Sequence, residues 1–253
     1  MIHQHRGETV TLAAALTFAQ CRVAPPWANA VEVHCPSATL EQISLALSPR
    51  LFKVFHYDAS ADEYKDLTAP LLDRNTSKLA TLASFATADY LYVGCKDRFR
   101  GLAVDVVTVN TEASVMTAEK GQSNGGWVAL AIAGNTTIAP AGTTLGQDGL
   151  ITWTVPTDWQ LSRVNGIDAF WVRLIVSAAL TATVTLDQIQ CLFNDVVNAN
   201  NETAEGNALM LLRTNNDTQP PKLIEFDKSR FGGIEIISAS VTSAANINWL
   251  LIH

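Results

Sequence analysis

The sequence predicts an all-β protein, and three observations carry that expectation. Only 16% of the 253 residues are charged against 48% hydrophobic, with nine prolines and fourteen glycines along the chain; this composition suits short strands closed by turns. Several segments alternate apolar and polar side chains with period two, most regularly Ile151-Thr152-Trp153-Thr154-Val155. Prolines interrupt the chain where such runs end, as at Pro25-Pro26, Pro36 and Pro156. A chain of this length buries one substantial core or two modest ones.

Taken in order, Thr9 to Trp27 mixes β-branched residues with alanines and stops at Pro25-Pro26, so residues 1–26 are expected to form an N-terminal arm. Val31 and Val33 alternate with Glu32 and His34 in a strand that Pro36 ends. From Leu51 to Asp58, the residues Leu51, Lys53, Phe55 and Tyr57 share one face, and Phe52, Val54 and His56 the other, which predicts a strand partly buried on both sides. Asp58 to Asp62 reads as a polar turn, while Ala69 to Ala86 fits a short helix and an extended chain equally well. Tyr90 to Val107 predicts a hairpin: Leu91 and Val93 in the first strand, Gly94 to Gly101 in the turn, Leu102, Val104 and Val106 on one face of the second. Gly121 to Gly149 is rich in Gly, Asn and Thr, with one strand expected at Trp127 to Ala133.

The strand of Ile151 to Val155 ends at Pro156, Asp158-Trp159 opens a surface excursion, and Phe170 to Ala178 is expected to pair with Thr181 to Phe193 as a second hairpin. These strands define a sandwich domain over 27–195. An amide-rich stretch over 194–206 reads as a linker, and strands at 208–213, 232–241 and 247–253 make a C-terminal β extension over 196–253. The last of them sets Ile247, Trp249 and Leu251 on one face that something must cover, which makes Trp249 a candidate interface residue.

Net charge is −7 and no Lys/Arg cluster is denser than Lys96 to Arg100, so a nucleic-acid partner is not expected. No apolar run approaches the roughly 20 residues that cross a bilayer, and MIHQHRGETV lacks a signal-peptide core; a chain starting in the cytoplasm with no membrane partner is expected. Cys21, Cys35, Cys95 and Cys191 are widely spaced with no C-x-x-C pair, which reads as four reduced, mostly buried thiols without metal or disulfide.

No nucleophile elbow, zinc-binding histidine pair, phosphate loop or dinucleotide fingerprint occurs. Among the histidines, His34 and His56 stand away from the termini and read as ordinary strand residues before general bases. Asp58, Asp62, Glu63 and Asp66 cluster in a turn, and Asp97 and Asp105 flank the hairpin; capping of turn amides explains them better than a glycosidase pair or a calcium loop. No enzyme activity and no cofactor are therefore expected. Of Trp127, Trp153, Trp159 and Trp171, the regular alternation assigns Trp153 to the core. Trp159, in a polar turn, is expected to be partly exposed and, with Asp158, to be a candidate glycan contact.

The succession EYKDLT, ADYLYVGCKDRFRGLAVDVV, DGLITWTVPTDWQ and GIDAFWVRLIVSA resembles a pattern recurrent in tailed-bacteriophage structural proteins. The shared positions are Tyr92, Gly94, Asp97, Phe99 and Gly101, then Pro156, Asp158 and Trp159, then Phe170, Trp171 and Arg173, all within residues 60–180. The resemblance implies a jelly-roll-like antiparallel β-sandwich in the virion and carries no catalytic residues. It implies a homo-oligomer, often a trimer, acting as a capsid decoration (cement) protein on the major capsid protein, or as a tail or baseplate component that meets host glycan. In that frame Asp97, Arg98, Arg100 and Arg173 are expected at a sandwich corner or in intersubunit ion pairs, and the terminal segments at subunit contacts.

Overall fold

The computed structural model describes the backbone of residues 5–12, 21–23, 30–34, 41–49, 51–72, 77–83, 85–139, 142–192, 208–214, 222–225, 231–240 and 245–252. Side chains are described over 53–71, 77–83, 85–139 and 142–192, and at Ala30 and Glu32. The chain opens with β1 (His5–Leu12), β2 (Cys21–Val23), β3 (Ala30–His34) and β4 (Glu41–Pro49). Then come β5 (Leu51–Asp58), β6 (Glu63–Asp66), α1 (Thr68–Leu72), β7 (Ala80–Thr81), β8 (Tyr90–Cys95), β9 (Gly101–Thr108), β10 (Met116–Gly121) and β11 (Trp127–Leu130). The middle of the chain closes with β12 (Gly134–Asn135), β13 (Gly149–Thr152), β14 (Ser162–Val164), β15 (Ile167–Val176) and β16 (Thr185–Leu192). The end adds β17 (Ala208–Thr214), β18 (Lys222–Glu225), β19 (Phe231–Ser240) and β20 (Ala245–Ile252).

These strands divide into two compact units, Met1–Ser48 with Asn194–His253, and Pro49–Phe193. The first holds two four-stranded sheets, ordered β1-β20-β3-β18 and β17-β4-β19-β2. Segments that the sequence sets apart at the two ends thus share sheets. β20 runs antiparallel to β1, from His5 opposite Ile252 to Leu12 opposite Ala245, and antiparallel to β3 on its other side. Both hydrogen-bonding edges of this terminal strand are used within the chain, and Trp249 stands in register with Glu8 and Val33. The Trp249 side chain and the 194–206 stretch lie outside the described residues.

The second unit is the antiparallel β-sandwich. One sheet has seven strands, β11-β10-β15-β8-β5-β6 with β14 paired to β15, and the other five, β12-β13-β9-β16-β7. Alternation explains which side of each strand faces inward. Leu91, Val93 and Cys95 of β8, and Val172, Leu174 and Val176 of β15, point into one core. Leu102, Val104 and Val106 of β9, with Leu186, Ile189 and Cys191 of β16, meet them from the other sheet. Ile151 and Trp153 join the same core, as their period of two predicts.

The two expected hairpins are not hairpins. β8 belongs to the seven-stranded sheet and β9 to the five-stranded one, and β15 and β16 are divided the same way. Each segment is an arch between the two sheets of the sandwich. The physical reason is that both strands of each pair carry an apolar inner face, which facing sheets bury and a single flat ribbon does not; nor are the links the two-residue primed turns that close hairpins. Between Ala69 and Ala86 the chain is neither one helix nor simply extended: α1 is five residues long, and Ala80–Thr81 pairs with β16. Asp66 Oδ1 accepts the Thr68 N–H at 2.9 Å, and Pro70 stands in the first turn, two ordinary ways to start a helix.

Candidate binding face

The charged turn from Lys96 to Arg100 is the corner where the chain leaves one sheet for the other. Phe99 points inward and packs against Trp153 at 5.5 Å and Trp159 at 5.0 Å between ring centroids, and Trp159 meets Phe170 edge-on at 6.0 Å. Trp153 donates its indole N–H to the Phe99 carbonyl at 2.7 Å. Two glycines of this stretch are required sterically. A Cβ on Gly94 would lie 2.7 Å from Trp171 Cε3 and Cζ3, and one on Gly101 2.5 Å from the Ile151 carbonyl oxygen. Arg100 is buried, while Arg98 is exposed and lies 5.5 Å over the Phe170 ring. Asp97 is half-buried, and its backbone N–H hydrogen-bonds the Cys95 sulfur. The stretch carries the chain from one sheet to the other, and Phe99 packs it onto the core.

Trp159 corrects an expectation. Its side chain is 0% exposed, so no ring face is open to a sugar. The polar residues around it misled because they flank an inward-turned anchor: Phe99 and Phe170 form the aromatic socket that takes the indole. Asp158 is exposed, but its carboxylate is engaged by the Lys120 ammonium, which reaches it from an otherwise buried side chain. That contact holds the Asp158 carboxyl below its ordinary pKa.

A different surface gathers chemistry. The outer face of the seven-stranded sheet is built by the strand positions that alternate with the core. Tyr64, Tyr57 and Tyr90 stand in register across β6, β5 and β8, and Phe55, Tyr92, Arg173 and Glu119 form the neighbouring row across β5, β8, β15 and β10. Trp127 follows on β11 opposite Gly121. All four tyrosines of the chain are on this face. Rings contact one another at 4.9 Å (Tyr57 and Tyr64), 5.7 Å (Tyr90 and Tyr92) and 5.4 Å (Tyr92 and Trp127). Beneath them Trp171 lies on Gly94, stacks on Phe55 at 5.7 Å, and donates its N–H to the Ile167 carbonyl at 3.1 Å.

Arg173 is the organising cation. Its guanidinium carbon sits 4.3 Å over Tyr90 and 4.7 Å over Trp127, and its Nε donates to Glu119 at 2.5 Å. A planar guanidinium satisfies both roles, stacking and carboxylate pairing, which a lysine does not. Burial pushes the Tyr92 phenol up to about 12, although Arg173, hydrogen-bonded to it, pulls the other way. Tyr57 donates to Asp62 at 2.7 Å, and this bond raises its phenol as well. Tyr64 is exposed, and Tyr57, Tyr90 and Trp127 are half-buried, so the rings offer partial faces and edges to a partner.

The other candidates are absorbed by structure. His56 is buried against Phe85 at 5.0 Å, with Nε2 3.4 Å from Asp89, whose carboxylate accepts the N–H groups of Ala59 and Ala86. The His34 side chain lies outside the described residues. Asp58 accepts from Ser60, Ala61 and Lys65, bonds that hold its carboxyl far below the usual range; Asp66 accepts from Lys53 at 2.6 Å and from Thr68. Among the described residues no cluster of His, Cys, Asp or Glu could hold a metal ion, and no helix is long and apolar enough to cross a membrane. No family model matches this chain, and no curated protein matches it.

Proposed function

We propose that the chain is a non-enzymatic bacteriophage virion structural protein, a homotrimeric capsid decoration protein that grips the shell through the outer face of its seven-stranded sheet. The observation that carries this reading is the concentration of all four tyrosines, Trp127 and Arg173 on one partly exposed sheet face. Aromatic residues and arginine are the types that anchor protein contacts. The residues that carry the phage resemblance supply its support: Gly94 and Trp171 floor the face, and Phe99, Trp159 and Phe170 build the corner beside it. Asp58, Asp62 and Asp66, candidates for catalysis, are engaged by Lys65, Tyr57 and Lys53, and His56 is packed against Phe85.

The test is electron microscopy of virions of the phage that encodes the chain, labelled with an antibody against it, beside binding of the purified chain to heads stripped of it. Label on the heads, and loss of rebinding in Tyr64→Ala with Trp127→Ala, is the expected outcome; absence of the chain from virions overturns the proposal. A second reading, a tail or baseplate module that binds host glycan, is favoured by the same half-exposed rings beside the Arg173 and Glu119 polar groups, because sugars stack on such rings. Label at the tail tip with glycan-array binding lost in Tyr64→Ala would select it over decoration.

A further inference from the structure

Cys95 ends β8 on the seven-stranded sheet, and Cys191 lies in β16 on the five-stranded sheet. Both side chains are fully buried in the core shared by the sheets, both are reduced, and the Cys191 thiol hydrogen-bonds the Cys95 sulfur. Facing sheets run about 10 Å apart, so two thiols meet across the gap only where the sheets converge. Both cysteines flank the same corner: Cys95 ends β8 just before it, and Cys191 stands in register with Leu102 of β9 just after it. We propose that Cys95 and Cys191 are a disulfide-forming pair, a covalent staple between the two sheets that a hydroperoxide closes and a thiol reductant opens. The staple is independent of the proposed virion role.

Cys95 is the attacking sulfur. The hydrogen bond from Cys191, with the N–H groups of Asp97 and Lys96 on the same sulfur, holds its thiol below the usual range against the opposing effect of burial, and the thiolate is the reactive form. It takes the distal oxygen of the hydroperoxide, the O–O bond breaks, and the departing hydroxide or alkoxide leaves with the Cys95 proton as water or alcohol. Cys191 then attacks the resulting sulfenic acid at sulfur, the S–O bond breaks, and the oxygen leaves as water with the Cys191 proton. Two thiols lose two electrons in total, and the peroxide gains them. Closing the hydrogen-bonded pair to a disulfide brings the sulfurs to about 2.0 Å.

The full chain is treated with graded hydrogen peroxide, denatured, alkylated, digested and analysed by mass spectrometry. A second sample is refolded from urea in a glutathione redox buffer, so that the oxidant reaches the thiols before the core closes. The expected product in either sample is a peptide pair joined through Cys95 and Cys191. Closing a loop of this length should raise the melting temperature of the sandwich by about 10 °C, reversibly with dithiothreitol. Cys191→Ala should lose both the cross-link and the reversible shift. The proposal is overturned if both cysteines are recovered as alkylated thiols from both treatments, as separate sulfinic or sulfonic acids, or bonded instead to Cys21 or Cys35.

Discussion

Gly94→Ala is the sharpest probe of the sheet face. The added methyl would lie 2.7 Å from Trp171 Cε3, 2.7 Å from Cζ3 and 2.8 Å from Cη2, about an ångström inside ordinary carbon contact. Trp171 has nowhere to retreat: it is 0% exposed, stacked on Phe55, and tied through Nε1 to the Ile167 carbonyl. Overpacking of this kind costs about 1–3 kcal/mol, and three ring atoms against a β-strand backbone place it at the upper end. Replacing glycine in a strand returns roughly 0.5–1 kcal/mol through the unfolded chain. The net is a loss of about 2 kcal/mol, or roughly 4–8 °C in melting temperature for a unit of this size, read by urea and thermal unfolding followed by indole fluorescence and near-ultraviolet circular dichroism. In a Trp171→Leu background the same substitution should become neutral or stabilising, because the clash partner is gone. A stabilised Gly94→Ala in the unaltered chain would refute the packing of Trp171 over this glycine.

Arg173→Ala should destabilise the sandwich by about 1–2 kcal/mol, since it removes two ring contacts and a partly buried carboxylate pair, and Arg173→Lys should recover less than half of that in denaturant titrations. Trp159→Ala should cost about 3–5 kcal/mol as a core cavity; Trp159→Phe should cost far less, because the indole Nε1 has no hydrogen-bond partner to lose. The Tyr92 phenol, raised to about 12 by burial, favours the folded state fully below the unfolded value near 10. That contribution is lost as pH climbs from about 10 to about 12, so absorbance at the phenolate band should show a tyrosine titrating near 12 that Tyr92→Phe removes while the raised Tyr57 phenol stays. Asp58 and Asp158 have the opposite sign: their folded values are depressed, so their contribution is present above about 4 and fades as pH falls below it, and proteolysis of the 58–66 turn should rise in acid.

Strand interiors were legible in the sequence because alternation reports which side chains are buried. Ile151 and Trp153, Leu91 and Val93, and Leu102, Val104 and Val106 all face the core as their spacing says. Alternation does not report which strand lies alongside, and so the two arches read as hairpins. β10 escaped notice because its inward positions are Met116, Ala118 and Lys120, and a lysine with a buried stem that reaches Asp158 masks the apolar face. The tyrosine face was invisible for a related reason. Tyr57, Tyr64, Tyr90 and Tyr92 are scattered over three strands, and only register brings them into rows. The one local signal was Tyr92 two residues before a glycine, with Trp171 awaiting a floor. For Trp159 the polar neighbours outweighed the simpler rule that a large indole finds a socket.

The pairing of β1 with β20 sets a schedule for biosynthesis. Among the described residues β1 is an edge strand whose sheet neighbour is β20, so β1 waits for a partner made long after it. At ribosomal rates of about 5–20 residues per second that interval is roughly 10–50 s. The sandwich, encoded between β4 and β17, has all its strands once residue 192 emerges. A polypeptide cut short before β20 would thus carry a finished sandwich and an orphan β1, open to chaperones and proteases until the eight-residue β20 (Ala245–Ile252) arrives.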